Sequence, residues 1–301
     1  MLSSVNGPSE QFLTDLDRIQ SAMDTVQRQV SSGLRVGQAS DDPAAVSSIL
    51  RTQSEIALNT QVQANLSHVK SELLTGDTSL QQAVALMEKA ITLAEQASAG
   101  AGSDVQNAAL ALQIQGIQQQ LVGLSNTKVN GRYIFSGDTD QQPAYALDAT
   151  QPTGVRQVST ANSTQVIVDV TGNPLWTPKT AREIFDAQDG TGNVFASVQS
   201  LLTALQNNDK STALATVDSL KTADDHLNQQ LGLYGIAETR VTDAVNTDTK
   251  AIANETQILG NLRDADTAGD ALLLTQLNTQ QQAALSARAT MSQYNLFDFL
   301  A

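Results

Sequence analysis

Cysteine is absent from this 301-residue chain. Disulfides, thiolate metal sites and cysteine nucleophiles are therefore excluded, while the compartment stays open. Aromatic residues are scarce, at 4%, against a hydrophobic content of 41%. A core built mostly from Leu, Val, Ile and Ala suits helix-on-helix packing better than a sandwich. Positive charge is also scarce: 17 Lys and Arg face 31 Asp and Glu, for a net charge of −14. Nucleic-acid binding draws on a basic patch that releases counterions, and no Lys/Arg cluster supplies one. The same charge disfavours anionic membrane surfaces. No run of roughly 18 apolar residues is present to span a bilayer. The opening MLSSVNGPSEQ has neither the basic nor the apolar region of a cleaved secretory signal. The expected location is the cytoplasm, or a destination reached by a route that does not read such a signal.

The chain is rich in helical stripes, and the clearest lie at its two ends. Phe12, Leu16, Ile19, Met23, Val26 and Val30 follow a spacing of 4, 3, 4, 3, 4. Leu277, Gln280, Ala284, Ala287, Met291 and Tyr294 follow the same alternation, and Leu296, Phe297, Phe299 and Leu300 come after them. A stripe this regular needs something to pack against. Each terminal helix has about 20 residues, a length marginal on its own in water. The two stripes are expected to pair with each other, with neighbouring copies, or both, as in a polymer subunit.

Between the ends, breaks and caps set the organisation. Ser31-Ser32-Gly33 ends the first helix, and Leu34-Arg35-Val36 reads as a short extended stretch. In Ser40-Asp41-Asp42-Pro43, Asp42 fits a helix N-cap and Pro43 the first helical position. A heptad seam then runs through Val62, Leu66, Val69, Leu73, Leu80, Val84, Met87, Ile91 and Ala94, with Gly76-Asp77 as a weak point inside it. An unbroken helix from Pro43 to Ser98 would span on the order of 80 Å, against about 50 Å for a compact globule of this size. The fold class expected is mainly α: an elongated rod of long heptad-patterned helices, the N- and C-terminal helices pairing, plus a small β-rich insert.

Gly100-Ala101-Gly102-Ser103 reads as a turn, and a third helix returns through Leu110, Ile114, Ile117, Leu121 and Leu124. The character changes at Asn130-Gly131. Four of the six prolines and six of the eleven aromatics fall between Tyr133 and Phe195. Alternation over residues 165–170, closed by Thr171-Gly172-Asn173, marks a strand. Helix resumes near Gly192 and breaks at Asn207-Asn208-Asp209. A last long seam then runs from Leu214 through Val217, Leu220, Leu227, Leu231, Tyr234, Val241, Val245, Ile252, Leu259 and Leu262, with Glu238, Asp248 and Glu255 as polar interruptions. The expected domains are 1–40 with 268–301, a terminal assembly domain; 41–136 with 191–267, a helical rod; and 137–190, the insert.

Nothing in the pattern resembles an active site, and no metal or cofactor is expected. His68 and His226 lack ligand spacing and read as solvated surface residues. The carboxylate pairs Asp41-Asp42, Asp224-Asp225 and Asp264/Asp266 could in principle bind calcium or act as acid and base. Helix capping, polar faces and a helix break account for them. Asp189-Gly190-Thr191-Gly192-Asn193 has too few ligands for a calcium loop, and Gly100-Ala101-Gly102 lacks a third glycine and a preceding strand. A binding module in the insert is the competing class, with Tyr145, Trp176 and Phe185 lining a pocket; the plainer reading makes them the core of a small β unit.

Four motifs in order carry a resemblance. Gln29-Val30-Ser31-Ser32-Gly33-Leu34-Arg35-Val36 resembles the L-S-S/T-G-x-R-I signature of bacterial flagellins and hook-associated proteins. Ser40-Asp41-Asp42-Pro43-Ala44-Ala45 resembles the S-D-D-P-x-A pattern of the hook–filament junction branch. Asn130-Gly131-Arg132-Tyr133-Ile134-Phe135-Ser136-Gly137 is similar to that branch's N-G-x-Y-[LI]-F-[GS]-G, and Asn295-Leu296-Phe297-Asp298-Phe299-Leu300 to its S-L-[LF]-D-[YF]-L ending. The chain thus resembles the hook-associated protein 3 family within the flagellin superfamily. Ser32-Gly33-Leu34 is closer to flagellin than to the usual junction form, so a short or minor flagellin is the alternative.

The resemblance implies an extracellular, non-enzymatic structural subunit, exported unfolded by the flagellar type III system without a cleaved signal. Its implied partners are further copies in a ring, hook-associated protein 1, flagellin and an export chaperone, with no nucleic acid and no membrane insertion. The terminal helices would form an inner coiled coil around an axial channel. Gly33, Arg35, Asp41, Asp42 and Pro43 would form the hinge and helix start. Asn130, Gly131, Arg132, Tyr133 and Phe135 would mark the insert boundary.

Overall fold

The structure is a computed structural model that describes residues 7–99, 104–136, 140–144, 167–168, 174–176, 181–186 and 192–291. Helix α1 (Gly7–Ser32) stops where Gly33 takes a left-handed φ of +69°, a conformation glycine enters without steric cost. Helix α2 (Pro43–Ala99) begins as its sequence predicts. Asp42 Oδ1 accepts the Ala45 N–H at 3.1 Å, and Pro43 opens the first turn. After α3 (Asp104–Ser125), strands β1 (Lys128–Val129) and β2 (Arg132–Tyr133) pair antiparallel, Lys128 opposite Tyr133. Strands β3 (Ile167–Val168) and β4 (Pro174–Trp176) form a second antiparallel pair, where alternation and the Thr171-Gly172-Asn173 closure place a strand and turn. Most of 137–190 lies outside the described residues, as do the expected turn at 100–103 and the calcium-like sequence at 189–191.

A short helix α4 (Ala181–Phe185) precedes α5 (Val194–Gln206), whose N-cap Asn193 accepts the Ala196 N–H at 2.8 Å. The break at 207–209 is real: Asn208 has φ 53°. Asp209 caps α6 (Lys210–Arg263) by accepting from the N–H and hydroxyl of both Ser211 and Thr212 at 2.6–3.1 Å. Those bonds, the Thr212 hydroxyl first, hold the Asp209 carboxyl down to about 2. Asp266 Oδ1 likewise caps α7 (Thr267–Met291), accepting the Gly269 N–H at 3.1 Å. The helices of 57 and 54 residues, α2 and α6, supply the length the seams demand.

The chain divides into two compact units. One comprises Leu58–Ala251, the other Met1–Ala57 with Ile252–Ala301. The core of the first is the heptad seam: Leu66, Leu80 and Met87 from α2, Ile114 and Leu121 from α3, Leu201 from α5, and Leu220, Leu227 and Val241 from α6. Beside it Phe135, Phe185, Phe195 and Tyr234 meet in edge and tilted contacts with centroids 5.3–6.3 Å apart. Phe185 therefore belongs to the helical core, which corrects its assignment to a β unit. Tyr145 and the Trp176 side chain fall outside the described residues.

Three further expectations are corrected. Gly76 is no weak point, because α2 runs through it and the Tyr234 ring lies where a Cβ would stand, 2.5 Å from Cε1. Leu214 is 60% exposed, so the α6 seam starts from Ala213 and Val217 instead. His226 is half-buried, its Nε2 3.1 Å from the Glu183 carbonyl oxygen. A carbonyl only accepts, so that nitrogen carries the proton. Of the polar seam residues, Asp248 is fully buried, while Glu238 and Glu255 are half-buried.

Candidate functional site

The first and last described helices come together. In the unit formed by residues 1–57 and 252–301, α1 packs against α7. Val26 is buried, and Phe12, Leu16, Ile19, Met23 and Val30 are half-buried along the same face of α1. On α7, Leu277 is buried and Ala284 half-buried, whereas Gln280 and Ala287 are exposed. The face of α7 turned from solvent instead runs through Asp270, Leu274, Leu277, Gln281 and Ala284. It keeps the 3–4 alternation but takes Gln281 in place of Gln280. The run Leu272-Leu273-Leu274 fits either phase by pattern alone. The Arg288 guanidinium lies 5.6 Å from the centre of the Phe12 ring, a cation–π contact that closes the seam. The side chains of Met291, Leu296, Phe297, Phe299 and Leu300 lie outside the described residues.

The connectors beside this pair are joined backbone to backbone. Leu34 and Asp264 form an antiparallel bridge. The N–H groups of Arg35 and Val36 both donate to the Arg263 carbonyl, at 2.8 and 3.1 Å, and Ala265 N–H donates to the Gly33 carbonyl at 3.0 Å. The last carbonyls of a helix have no partner inside it. Those of Leu262 and Arg263 in α6 find theirs in residues that stand far earlier in the chain. The Arg35 guanidinium donates through one nitrogen to the Leu262 carbonyl and through the other to Asp42 Oδ2 at 3.0 Å. Arg35, then the Ala45 N–H, holds the Asp42 carboxyl below its usual range. Asp41 turns its carboxylate back onto the N–H groups of Gly37 and Gln38 at 3.0 and 2.8 Å, closing the loop. Val36, Ile49 and Leu259 form a small core beneath, with Ala45, Ile56 and Leu262 packed against it.

At the insert boundary Asn130 and Gly131 have φ 51° and 80°. Two successive left-handed residues make the tight turn that a two-residue hairpin needs. The hairpin itself escaped the sequence reading, although Asn-Gly is its strongest short-range signal. Arg132 pairs with the Asp140 carboxylate, the Tyr133 N–H donates to the Asp140 carbonyl at 2.9 Å, and Lys128 Nζ sits 4.2 Å from the Tyr133 ring centre. Phe135 is buried in the aromatic cluster.

Of the carboxylates singled out for chemistry, Asp42 and Asp266 cap helices, Asp41 closes the connector loop and Asp264 pairs with Arg263. Asp224 differs. Partial burial, then the charges of Glu88 and Asp225, push its carboxyl above the usual range, against a bond from the Asn228 amide. Among the described residues no three of His, Cys, Asp and Glu gather to hold a metal ion, and no helix is long and apolar enough to cross a membrane.

Comparison with known proteins gives these features a setting. The model of the bacterial flagellin N-terminal helical region matches residues 4–140, and that of the bacterial flagellin C-terminal helical region matches residues 214–300. Flagellar hook-associated protein 3 of Escherichia coli (strain K12) is 27% identical over 288 residues, 89% of this chain and 90% of that protein. Flagellin of Bacillus subtilis (strain 168) is 25% identical over 307 residues, 96% of this chain and 97% of that one. The solved structure of a flagellar hook-associated protein from Vibrio parahaemolyticus has the same fold, with a TM-score of 0.64 at 17% identity. It covers 74% of this chain and 100% of that one.

Proposed function

The chain belongs to the bacterial flagellin family, carrying both of its helical regions, and from that premise we propose that it is the structural subunit joining hook to filament in a bacterial flagellum. The observation that carries this reading is the pairing of α1 with α7. Two helices from opposite ends of the chain spend their apolar stripes on each other and leave Leu13, Leu272 and Leu285 exposed for neighbours. Catalysis has no part in this role. What the subunit supplies is shape, a paired terminal helix unit and a connector that fixes it.

The assembly domain is residues 1–40 with 268–301, the helical rod 41–136 with 191–267, and the insert 137–190. Assembly runs through the stripe residues of the two termini, including Met291, Leu296, Phe297, Phe299 and Leu300. Its partners are further copies of itself closing a ring, hook-associated protein 1 on one side and flagellin on the other. A chaperone covers the apolar tail before export, and the subunit leaves the cell without a cleaved signal. The branch motifs at Ser40–Ala45 and Asn130–Gly137 favour the junction over the filament. Similarity to a flagellin along nearly its whole length keeps a minor flagellin as the second reading.

Immunogold electron microscopy of intact flagella with an antibody to residues 137–190 tests the choice. Label confined to the hook–filament boundary is the expected result. Label along the filament would establish the flagellin reading instead.

A further inference from the structure

Of the residues in the connectors, Arg35 alone reaches a helix start and a helix end at once. Its guanidinium holds the N-cap carboxylate of α2, Asp42, and the Leu262 carbonyl in the last turn of α6. Its own backbone N–H and that of Val36 fill the Arg263 carbonyl. The C-terminal end of α6 is thereby capped by a segment more than two hundred residues earlier, where helices usually end on their own following residues. From this short stretch α1 leaves in one direction along the chain and α7 in the other. The apolar contacts beneath it, among Val36, Ile49 and Leu259, are non-directional. They attach the two connectors without setting which carbonyl meets which N–H. A planar guanidinium with two nitrogens on two separate acceptors does set it.

We propose that Arg35 is a positioning residue for assembly: it locks the α1–α2 connector to the α6–α7 connector in one register, and so fixes the launch point of the terminal helix pair. This rests on the assembly role given above and adds to it that the connector is a two-sided clasp, built from both termini, in place of a free hinge at Gly33. The effect of Arg35 passes through the backbone pairing of Leu34 with Asp264.

The absence of cysteine makes the clasp directly measurable. The bridge pair Leu34–Asp264 has the close Cα spacing of antiparallel partners, which lies within disulfide range. Full-length Leu34→Cys/Asp264→Cys protein is oxidised under mild conditions and the rate of internal crosslinking is followed, with and without Arg35→Ala and Arg35→Lys. Removal of Arg35 is expected to slow crosslinking roughly two- to fivefold, the population ratio that an exposed hydrogen-bonded ion pair is worth. Lysine is expected not to restore it, since a point charge does not hold both acceptors in a fixed fork. Equal rates in all three proteins, whether fast or slow, would overturn the proposal, as would full rescue by lysine, which would reduce Arg35 to a simple charge. In cells lacking the native gene, Arg35→Ala is expected to lose filaments while the main unfolding midpoint of the purified chain is unchanged. Lost filaments with that midpoint lowered would show a general folding defect and also overturn it. Failure of the junction reading itself would appear separately, as label along the filament in the immunogold experiment.

Discussion

Replacing Gly76 by alanine sets two opposed effects against each other, and the structure decides between them. In a helix interior glycine is the costly residue, and Gly→Ala gains about 1 kcal/mol from the unfolded chain's lost freedom. At position 76, however, the new Cβ would stand 2.5 Å from Tyr234 Cε1 and 3.1 Å from Cδ1. Ordinary carbon contacts begin near 3.5 Å, so the ring must retreat by roughly 1 Å. It has little room to do so, being buried and stacked edge-on against Phe135 at 6.3 Å. Overpacking of a braced core costs about 1–3 kcal/mol. The net effect expected is a loss of about 1 kcal/mol, with the sign reversed from the usual helix rule. Gly232→Ala on α6 is the internal control, since that glycine is exposed and a Cβ there meets nothing within 4 Å. It should gain about 0.5–1 kcal/mol. Urea unfolding followed by far-ultraviolet circular dichroism measures both, and an unchanged m-value would assign the shift in midpoint to stability. A second substitution, Tyr234→Leu, should remove most of the penalty in the Gly76→Ala background. If Gly76→Ala stabilises the protein as much as Gly232→Ala does, the close packing of α2 on α6 at this point is refuted.

Asp224→Asn is expected to stabilise the protein at neutral pH. Burial and the neighbouring Glu88 and Asp225 charges raise its folded-state pKa above the unfolded value, so its contribution favours folding below the ordinary aspartate range and fades as pH rises through the folded pKa. The advantage of the variant over the parent should therefore shrink on acidification toward pH 4, and a constant gap in melting temperature would contradict the assignment. Gly33→Val forces a β-branched residue to φ +69°, a strain of about 1–3 kcal/mol, and should abolish swimming in soft agar; a fully motile strain removes the idea. Leu296→Asp with Phe299→Asp should block assembly or chaperone capture and leave the main unfolding transition in place. A markedly lower melting temperature would show that the tail supports the fold.

Local chemistry made the helix ends legible. Asp42-Pro43, Gly33 and Asn207-Asn208-Asp209 each act where their cap or left-handed geometry says they should. Heptad spacing likewise placed most of the buried positions of α2, α3 and α6, Leu214 excepted, since a 3–4 alternation in a chain poor in aromatics has few other uses. What escaped was information carried across the chain. The clasp joins residues 33–36 to 263–265 by backbone bonds, and no side-chain pattern announces such a pairing. Phe185 and Phe195 share one cluster with Phe135, though far from it in sequence. Gly76 read as a weak point because its partner ring lies on a different helix. On α7 the expected stripe is right at Leu277 and Ala284 and wrong at Gln280, because two adjacent glutamines are alike by pattern and Gln281 takes the inward place. The Asn130-Gly131 hairpin is a different case, for its signal was local and plain.

Deletion of the gene in its native host tests the junction role most directly, with the hooks viewed by electron microscopy and flagellin measured in the medium. Complete hooks that carry no filament are the expected result, with flagellin monomer shed outside the cell, both reversed by the wild-type gene. Filaments of normal number and length on the deleted cells would contradict the junction role.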